Sequence, residues 1–373
     1  MIIGVNARMI LSDNLEGIPR YIYETTREMA LEHPNDRFIL YFDRKIKHSL
    51  SFPDNVSFSV IPLQSRHPLL WIIWFEILLP YFLKRDKIDV FYSADGYMSL
   101  YSDIPTVLVT HDLAYIHYPE HLPIMTRWYY RYFTPRFFNA AKKIITVSDA
   151  TRKDILMNHK INESKIEIAG NAINNYSIDN SGEIGLSIKK LVEHRNPYFC
   201  FIGALHPRKN VVKMCEAFAV FQKKYKKNYR LIIAGRFAWK SEDIKNSIQN
   251  NPMIEYAGTV NEAEKKTILS NSKGLLYLSL FEGFGIPILE GMLAGVPILC
   301  SDISSMPEVA GDAAIFADPT NIESMAEGMN EITKTDIKIK LIEAGKKRCM
   351  DFSWSKSASI IHGCISTCVP KKI

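Results

Sequence analysis

The chain has 373 residues, 47% of them hydrophobic and 23% charged, which is enough for two ordinary domains and excludes a disordered or fibrous protein. Its net charge of +6 sits in short clusters (Lys223–Lys227, Lys346–Arg348, Lys371 and Lys372), with no zinc pattern or RNA-binding signature beside them, so nucleic acid is not an expected partner. The six cysteines are scattered, without Cys-x-x-Cys or histidines at metal spacing, and the chain opens on a strand rather than a basic and apolar leader, so reduced thiols in a cytoplasmic protein are expected.

In chain order, short β-rich runs alternate with helical patterns: Ile2–Asn6, Arg37–Phe42, Ser57–Ile61, Ile88–Tyr92, Thr106–Thr110, Ile144–Val147 and Ile166–Ala169. Such alternation means strand–helix units on a parallel sheet. The pattern fades over the polar stretch 174–196 and restarts at Tyr198–Ile202, Arg230–Ala234, Met253–Tyr256, Gly274–Ser279 and Pro297–Cys300. The expected fold is therefore α/β, with two doubly wound Rossmann-like domains facing across a cleft and ligands at the strands' carboxyl ends. The domains are expected at residues 1–175 and 197–353, with a linker at 176–196 and a last helix at 354–373. Asn261 with Glu264, and Thr320 with Glu323, are spaced as capping boxes opening two helices of the second domain. No fixed-period repeat is present, so the halves share architecture only.

The run Leu69–Leu83 is the most apolar in the chain, but it is shorter than the roughly 20 residues needed to span a bilayer and carries Glu76 and Pro80. A buried crossover helix is the favoured reading. The alternative is a helix lying on a membrane surface with Lys84, Arg85 and Lys87 at the headgroups, and the aromatics of Arg127–Phe138 with Arg127, Arg131 and Arg136 raise that option.

The chemistry concentrates in Phe281–Glu290. A strand leads into Gly283 and Gly285, which allow a sharp turn and close backbone approach, and a helix follows with Pro287 in its first turn. The free N–H groups of that helix start suit a phosphate. Glu282 and Glu290 are eight residues apart, about 12 Å if all helical, far from the ~5–5.5 Å of a retaining glycosidase pair. They suit two different parts of one ligand. Arg208 and Lys209 follow the strand Tyr198–Ile202 and offer a fork of donors and a point charge for a diphosphate. His111 and Asp112 stand at the carboxyl end of Thr106–Thr110, and Gly17 is the flexible point of the loop that opens the first helix. No Asp-x-Asp occurs, so neither metal-held diphosphate nor any other metal or cofactor is expected.

Ser279-Leu-Phe-Glu-Gly-Phe-Gly-Ile-Pro-Ile-Leu-Glu-Gly-Met-Leu-Ala-Gly-Val-Pro297, followed by Ser304-Ser-Met-Pro-Glu-Val-Ala-Gly-Asp-Ala-Ala314, resembles the donor-site signature of family 4 retaining glycosyltransferases. The resemblance implies a type B fold whose last helix crosses back onto the first domain. It also implies that Glu282 and the backbone of Gly283, Phe284, Gly285 and Ile286 hold the donor sugar, and that Glu290 holds the ribose. Arg208 and Lys209 would bind phosphate, although Ala204 occupies the place where the family commonly has its arginine. Val260 would contact the base, and Arg236 would edge the donor pocket. Asn14-Leu-Glu-Gly-Ile-Pro-Arg-Tyr21 is similar to the family's glycine-rich first loop, with Glu16 and Pro19 in place of two glycines; Gly17 would reach phosphate, and Arg20 and Tyr21, with Asp112, would face the acceptor. His111 would hold the donor sugar while the leaving diphosphate takes the acceptor's proton.

The expected partners are a nucleotide-sugar donor and a glycan or lipid-linked acceptor, with peripheral contact at the inner membrane face. The same resemblance points to mannosyltransferases of bacterial surface polysaccharides, hence GDP-mannose before a UDP-sugar. The rival enzyme is a nucleotide-sugar epimerase on the same fold; a catalytically silent assembly partner is the non-enzymatic alternative. A dinucleotide dehydrogenase is a weaker alternative still, since no strand is followed by Gly-x-Gly-x-x-Gly and an acidic residue ~20 on.

Overall fold

The computed structural model describes residues 1–10, 15–46, 50–173, 183–238 and 241–369. The chain folds as two compact units, one of Met1–Asn171 with Ser353–Ile373 and one of Ala172–Phe352. Each is built on a single parallel sheet. The first sheet contains β1 (Ile2–Asn6), β2 (Arg37–Phe42), β3 (Val56–Val60), β4 (Val90–Ser93), β5 (Thr106–Thr110), β6 (Lys143–Thr146) and β7 (Ile166–Ile168), in the order β3-β2-β1-β4-β5-β6-β7. The second contains β8 (Tyr198–Ile202), β9 (Arg230–Ala234), β10 (Ile254–Gly258), β11 (Leu275–Tyr277), β12 (Ile298–Ser301) and β13 (Ala314–Ala317), in the order β10-β9-β8-β11-β12-β13. Both orders reverse beside the first strand of the unit, at β1/β4 and at β8/β11, and such switch points open a crevice at the strands' carboxyl ends.

The central strands are mainly apolar because both faces of a doubly wound sheet are covered. All five residues of β5, β8 and β9 are buried. The sequence missed β13, a four-residue run in which Ile315 and Phe316 are only partly covered, as befits an edge strand.

The polar stretch expected to be a linker is helical in part: Leu186–Val192 forms a helix, and Gly185 N–H donates to Glu264 of the same unit at 3.1 Å. Residues 176–182 of that stretch, like Lys371 and Lys372, lie outside the described residues. The helix Trp354–Cys368 belongs to the first unit, where it packs on the helix Ile18–Glu32, with the Trp354 ring 5.8 Å from Tyr21.

Asn261 and Glu264 form a reciprocal capping box, but the second expected start is shifted by one residue. Asn321, not Thr320, caps the helix Ile322–Glu331, accepting from the N–H groups of Glu323 and Ser324. Asparagine places its acceptor at the helix start as well as threonine does, and Thr320 Oγ1 is committed to Asp318.

The apolar run 69–83 is helical, with a π-helical turn at Ile73–Leu78. Pro80 has no N–H for the carbonyl four residues back, and a π turn absorbs that mismatch. Trp74, Phe75, Leu79 and Leu83 enter the core, whereas Leu69, Ile73, Ile77 and Tyr81 are exposed. The run is thus half-buried rather than a fully buried crossover helix. Among the described residues, no helix is long and apolar enough to cross a membrane.

Candidate active site

In the second unit the loops after β8 and β11, the two strands at the switch point, converge. Lys209 Nζ lies 2.5 Å from Glu282 Oε1 and donates to the Tyr277 hydroxyl at 2.8 Å. Arg208 Nη1 donates to the Phe281 carbonyl at 2.5 Å and lies 3.4 Å from Glu282 Oε2. Glu282 is 7% exposed. Burial pushes its carboxyl up, but Lys209 and Arg208 outweigh that and hold it at about 2. Glu282 is therefore a fixed carboxylate, an acceptor of hydrogen bonds and not a proton donor near neutral pH.

The loop that carries it is held from below. Ser304 Oγ donates to the Glu282 carbonyl at 2.6 Å, and Ser305 Oγ to the carbonyls of Glu282 and Phe284 at 2.9 and 2.8 Å. Phe284 is buried edge-on against Phe352. Gly285 has φ +104°, a conformation that suits glycine, and from there the helix Ile286–Leu293 begins with Pro287 in its first turn. One turn and a half along, Glu290 Oε1 accepts from Lys265 Nζ at 2.7 Å. Lys265 is itself nearly buried; burial pulls its ammonium down, and Glu290 and Glu262 more than reverse this.

Glu262 is thereby paired with Lys265, and both oxygens of Glu264 are occupied by Asn261 and Gly185. Val260 is half-buried at the end of β10, and the Arg236 side chain is exposed beyond β9.

In the first unit, His111 follows β5, and its Nε2 meets the Ala94 carbonyl at 2.8 Å. A carbonyl only accepts, so Nε2 carries the proton and Nδ1 of the neutral ring is left as an acceptor. Burial pulls the ring's basicity down against the Ala94 carbonyl, Asp112 and Asp95. Asp112 Oδ1 accepts from Ala114 N–H at 2.9 Å. Gly17, with φ +57°, precedes the helix Ile18–Glu32, and an added Cβ there would meet none of the described residues within 4 Å. Arg20 Nε donates to the Leu15 carbonyl at 2.7 Å.

Tyr21 corrects an expectation. It is 0% exposed and cannot face an acceptor; the helix turns it inward, edge-on to His111 at 5.0 Å between centroids. It supports the histidine from behind.

Sequence reasoning missed Tyr277, Lys265 and the Ser304–Ser305 buttress. Each acts through a contact between residues far apart in the chain; only Ser304 and Ser305 lay inside a quoted motif. It also missed Arg8, buried against Asp95 at 2.8 Å beside the β1/β4 switch point.

Two Rossmann-like parallel-sheet units, one with a cation pair and a glycine loop gathered at its switch point, define the type B class of nucleotide-dependent transferases. The family model described as "Glycosyltransferase Family 4" matches residues 15–175, and that described as "Glycosyl transferases group 1" matches residues 186–348. The chain belongs to this family and is a glycosyltransferase.

It is similar to the O-antigen chain mannosyltransferase B of Escherichia coli, 26% identical over 355 residues and covering 91% of this chain and 93% of that one. It is similar also to the O-antigen chain mannosyltransferase RfbU of Salmonella typhimurium, 23% identical over 78% of each chain. Among solved structures, WaaG, a glycosyltransferase of lipopolysaccharide biosynthesis, matches with a TM-score of 0.71 at 15% identity over the whole of both chains, which shows the fold.

Proposed function

We propose that the chain is a retaining, metal-independent mannosyltransferase that moves mannose from GDP-mannose to a glycan or lipid-linked acceptor in surface polysaccharide synthesis. The observation that carries the donor site is the meeting of Lys209 and Arg208 with Glu282 beside the open start of the helix Ile286–Leu293. Two cations beside a helix start, with its positive dipole end, are what a diphosphate needs when no metal holds it. On donor arrival, Lys209 and Arg208 turn part of their hydrogen bonding to phosphate oxygens, and Glu282 accepts from the sugar's hydroxyls. Glu290 accepts from the ribose, with Lys265 fixing its rotamer. His111 Nδ1 accepts from the sugar, and because the ring is neutral it does not repel the positive charge that develops as the leaving group departs. The diphosphate itself takes the acceptor's proton. Mannose and the polysaccharide context rest on the relatives' names, an argument by analogy.

Peripheral contact with the inner membrane face belongs to the same reading. Leu69, Ile73, Ile77 and Tyr81 recur every four residues on one exposed stripe, and Ile124, Trp128 and Tyr132 form a second on the helix Ile124–Ala140, which packs against the start of the first. Exposed Lys84, Arg85, Lys87, Arg131 and Arg136 supply charge for anionic headgroups. Co-sedimentation with phosphatidylglycerol vesicles that survives Ile77→Glu together with Trp128→Glu would remove this part of the proposal.

The test of the reaction is a panel of nucleotide sugars with and without a mannoside acceptor. Nucleotide release that requires the acceptor, greatest with GDP-mannose, supports the reading; acceptor-independent release points to the epimerase, and no turnover with any donor to a silent partner.

A further inference from the structure

The first unit gathers a second set of ligand-type side chains that the transfer reaction does not use. His33, just past the helix Ile18–Glu32, Asp36, just before β2, and His362, on the helix Trp354–Cys368, place one donor atom each within 4.8 Å of one another. His362 Nε2 lies 2.8 Å from Asp36 Oδ2, and the His33 and His362 rings stack with centroids 3.4 Å apart. Asp36 Oδ1 also accepts from the Met1 ammonium at 2.7 Å. Asp36 and His362 are each 9% exposed. Because all strands of this sheet are parallel, this cluster lies at their amino ends and His111 at their carboxyl ends, about 16 Å apart by strand length.

We infer that His33, Asp36 and His362 form a binding site for a divalent late transition metal, zinc being the probe of choice, that fastens the C-terminal helix to the first unit. Two imidazoles and a carboxylate are a nitrogen and oxygen donor set that zinc accepts, with a fourth position left to water. Zinc–nitrogen and zinc–oxygen bonds of about 2.0–2.2 Å put donor atoms on one ion roughly 3.0–3.5 Å apart. The donor atoms, now within 4.8 Å of one another, must close to that, and the His33 and His362 rings, with 6° between their planes, turn out of their stack to aim both lone pairs at one ion.

His362 Nε2 and Asp36 Oδ2 already share a hydrogen bond of 2.8 Å, and binding of an ion displaces the proton between them. The three ligands come from segments more than 300 residues apart in sequence for the outermost pair, so an ion there ties the last helix to the first without touching the donor loop.

The test uses the full chain, stripped with chelator and dialysed, titrated with zinc by calorimetry and with cobalt by absorption. One equivalent of zinc is expected to bind, to release a proton and to raise the thermal midpoint, and cobalt is expected to give d–d bands without the thiolate charge-transfer band that Cys364 or Cys368 would produce. His33→Ala and His362→Gln should each weaken zinc at least tenfold. His33 lies at a helix end and is half-buried, so His33→Ala decides the matter even if His362→Gln does not fold. No stoichiometric binding, unchanged affinity in His33→Ala, or a thiolate band overturns the proposal and leaves the cluster as a hydrogen-bonded anchor only. Each outcome is independent of whether mannose is transferred.

Discussion

Lys209→Met keeps most of the side chain's volume and removes its charge, isolating what the lysine does to Glu282. Holding that carboxyl at about 2 rather than at the 4.5 of a free glutamate is a net gain of about 3 kcal/mol, the attraction of its cations less the cost of burial. The Glu282 side chain is only 8% exposed, so solvent screening takes little from this figure. Lys209 makes the larger contribution and the closer contact, so its loss should cost on the order of 2 kcal/mol near neutral pH. A carboxyl lowered on folding stabilises fully above its unfolded value and loses that stability as pH falls through the folded value; linkage leaves about 1 of the 3 kcal/mol near pH 3. The gap between wild type and Lys209→Met should therefore shrink to below about 1 kcal/mol between neutral pH and about pH 3. Urea unfolding followed by circular dichroism measures both gaps, and other carboxylates cancel in the difference. Equal stability of the two chains at neutral pH, or a gap that does not narrow in acid, refutes the electrostatic account of the loop.

Glu290→Gln keeps shape and loses charge, and should weaken nucleotide binding about tenfold or more, since hydrogen bonds to charged groups are worth about 1.5–3 kcal/mol; calorimetry with GDP reads it. Tyr21→Phe removes a buried hydroxyl that has no hydrogen-bond partner among the described residues, so it should be neutral or up to about 1 kcal/mol stabilising and leave turnover within about twofold; a large loss of activity would return Tyr21 to direct substrate contact. If Lys209, Arg208 and a helix start carry the diphosphate as proposed, turnover should survive excess EDTA at room temperature; activity lost and then restored by magnesium or manganese contradicts this. Chelator is expected to lower only the thermal midpoint, through the His33, Asp36 and His362 site.

Much of the fold was legible because doubly wound sheets bury their strands on both faces, so continuous apolar runs such as Tyr198–Ile202 and Arg230–Ala234 coincide with β8 and β9. β13 escaped although the other edge strands β3, β7 and β10 were read, because its four residues carry alanine at both ends, a poor strand former, and leave only Ile315 and Phe316 as a signal. The helix Ile286–Leu293 was legible from Gly285 and Pro287, which mark its start chemically. Tyr21 was misplaced because the motif gives the residue type and not the face of the helix; its neighbours Ile22, Thr25 and Met29 show the buried side only once the helix is docked. Lys265 was invisible for a related reason. It lies 25 residues from Glu290, and only the approach of the helices Glu262–Asn271 and Ile286–Leu293 brings the pair together. In the run 69–83, composition alone could not separate a core helix from a surface one, since the same helix does both on opposite faces.

The central claim is that Arg208, Lys209 and the Glu282 loop form the diphosphate site of a GDP-sugar. Calorimetric titration of GDP and UDP into the wild-type chain and into a chain carrying Arg208→Met with Lys209→Met tests it most directly. The expected result is GDP binding at least tenfold tighter than UDP, about 1.4 kcal/mol, with both nucleotides weakened together in the double variant. Nucleotide affinity unchanged in the double variant would contradict the site, and UDP tighter than GDP would contradict the donor.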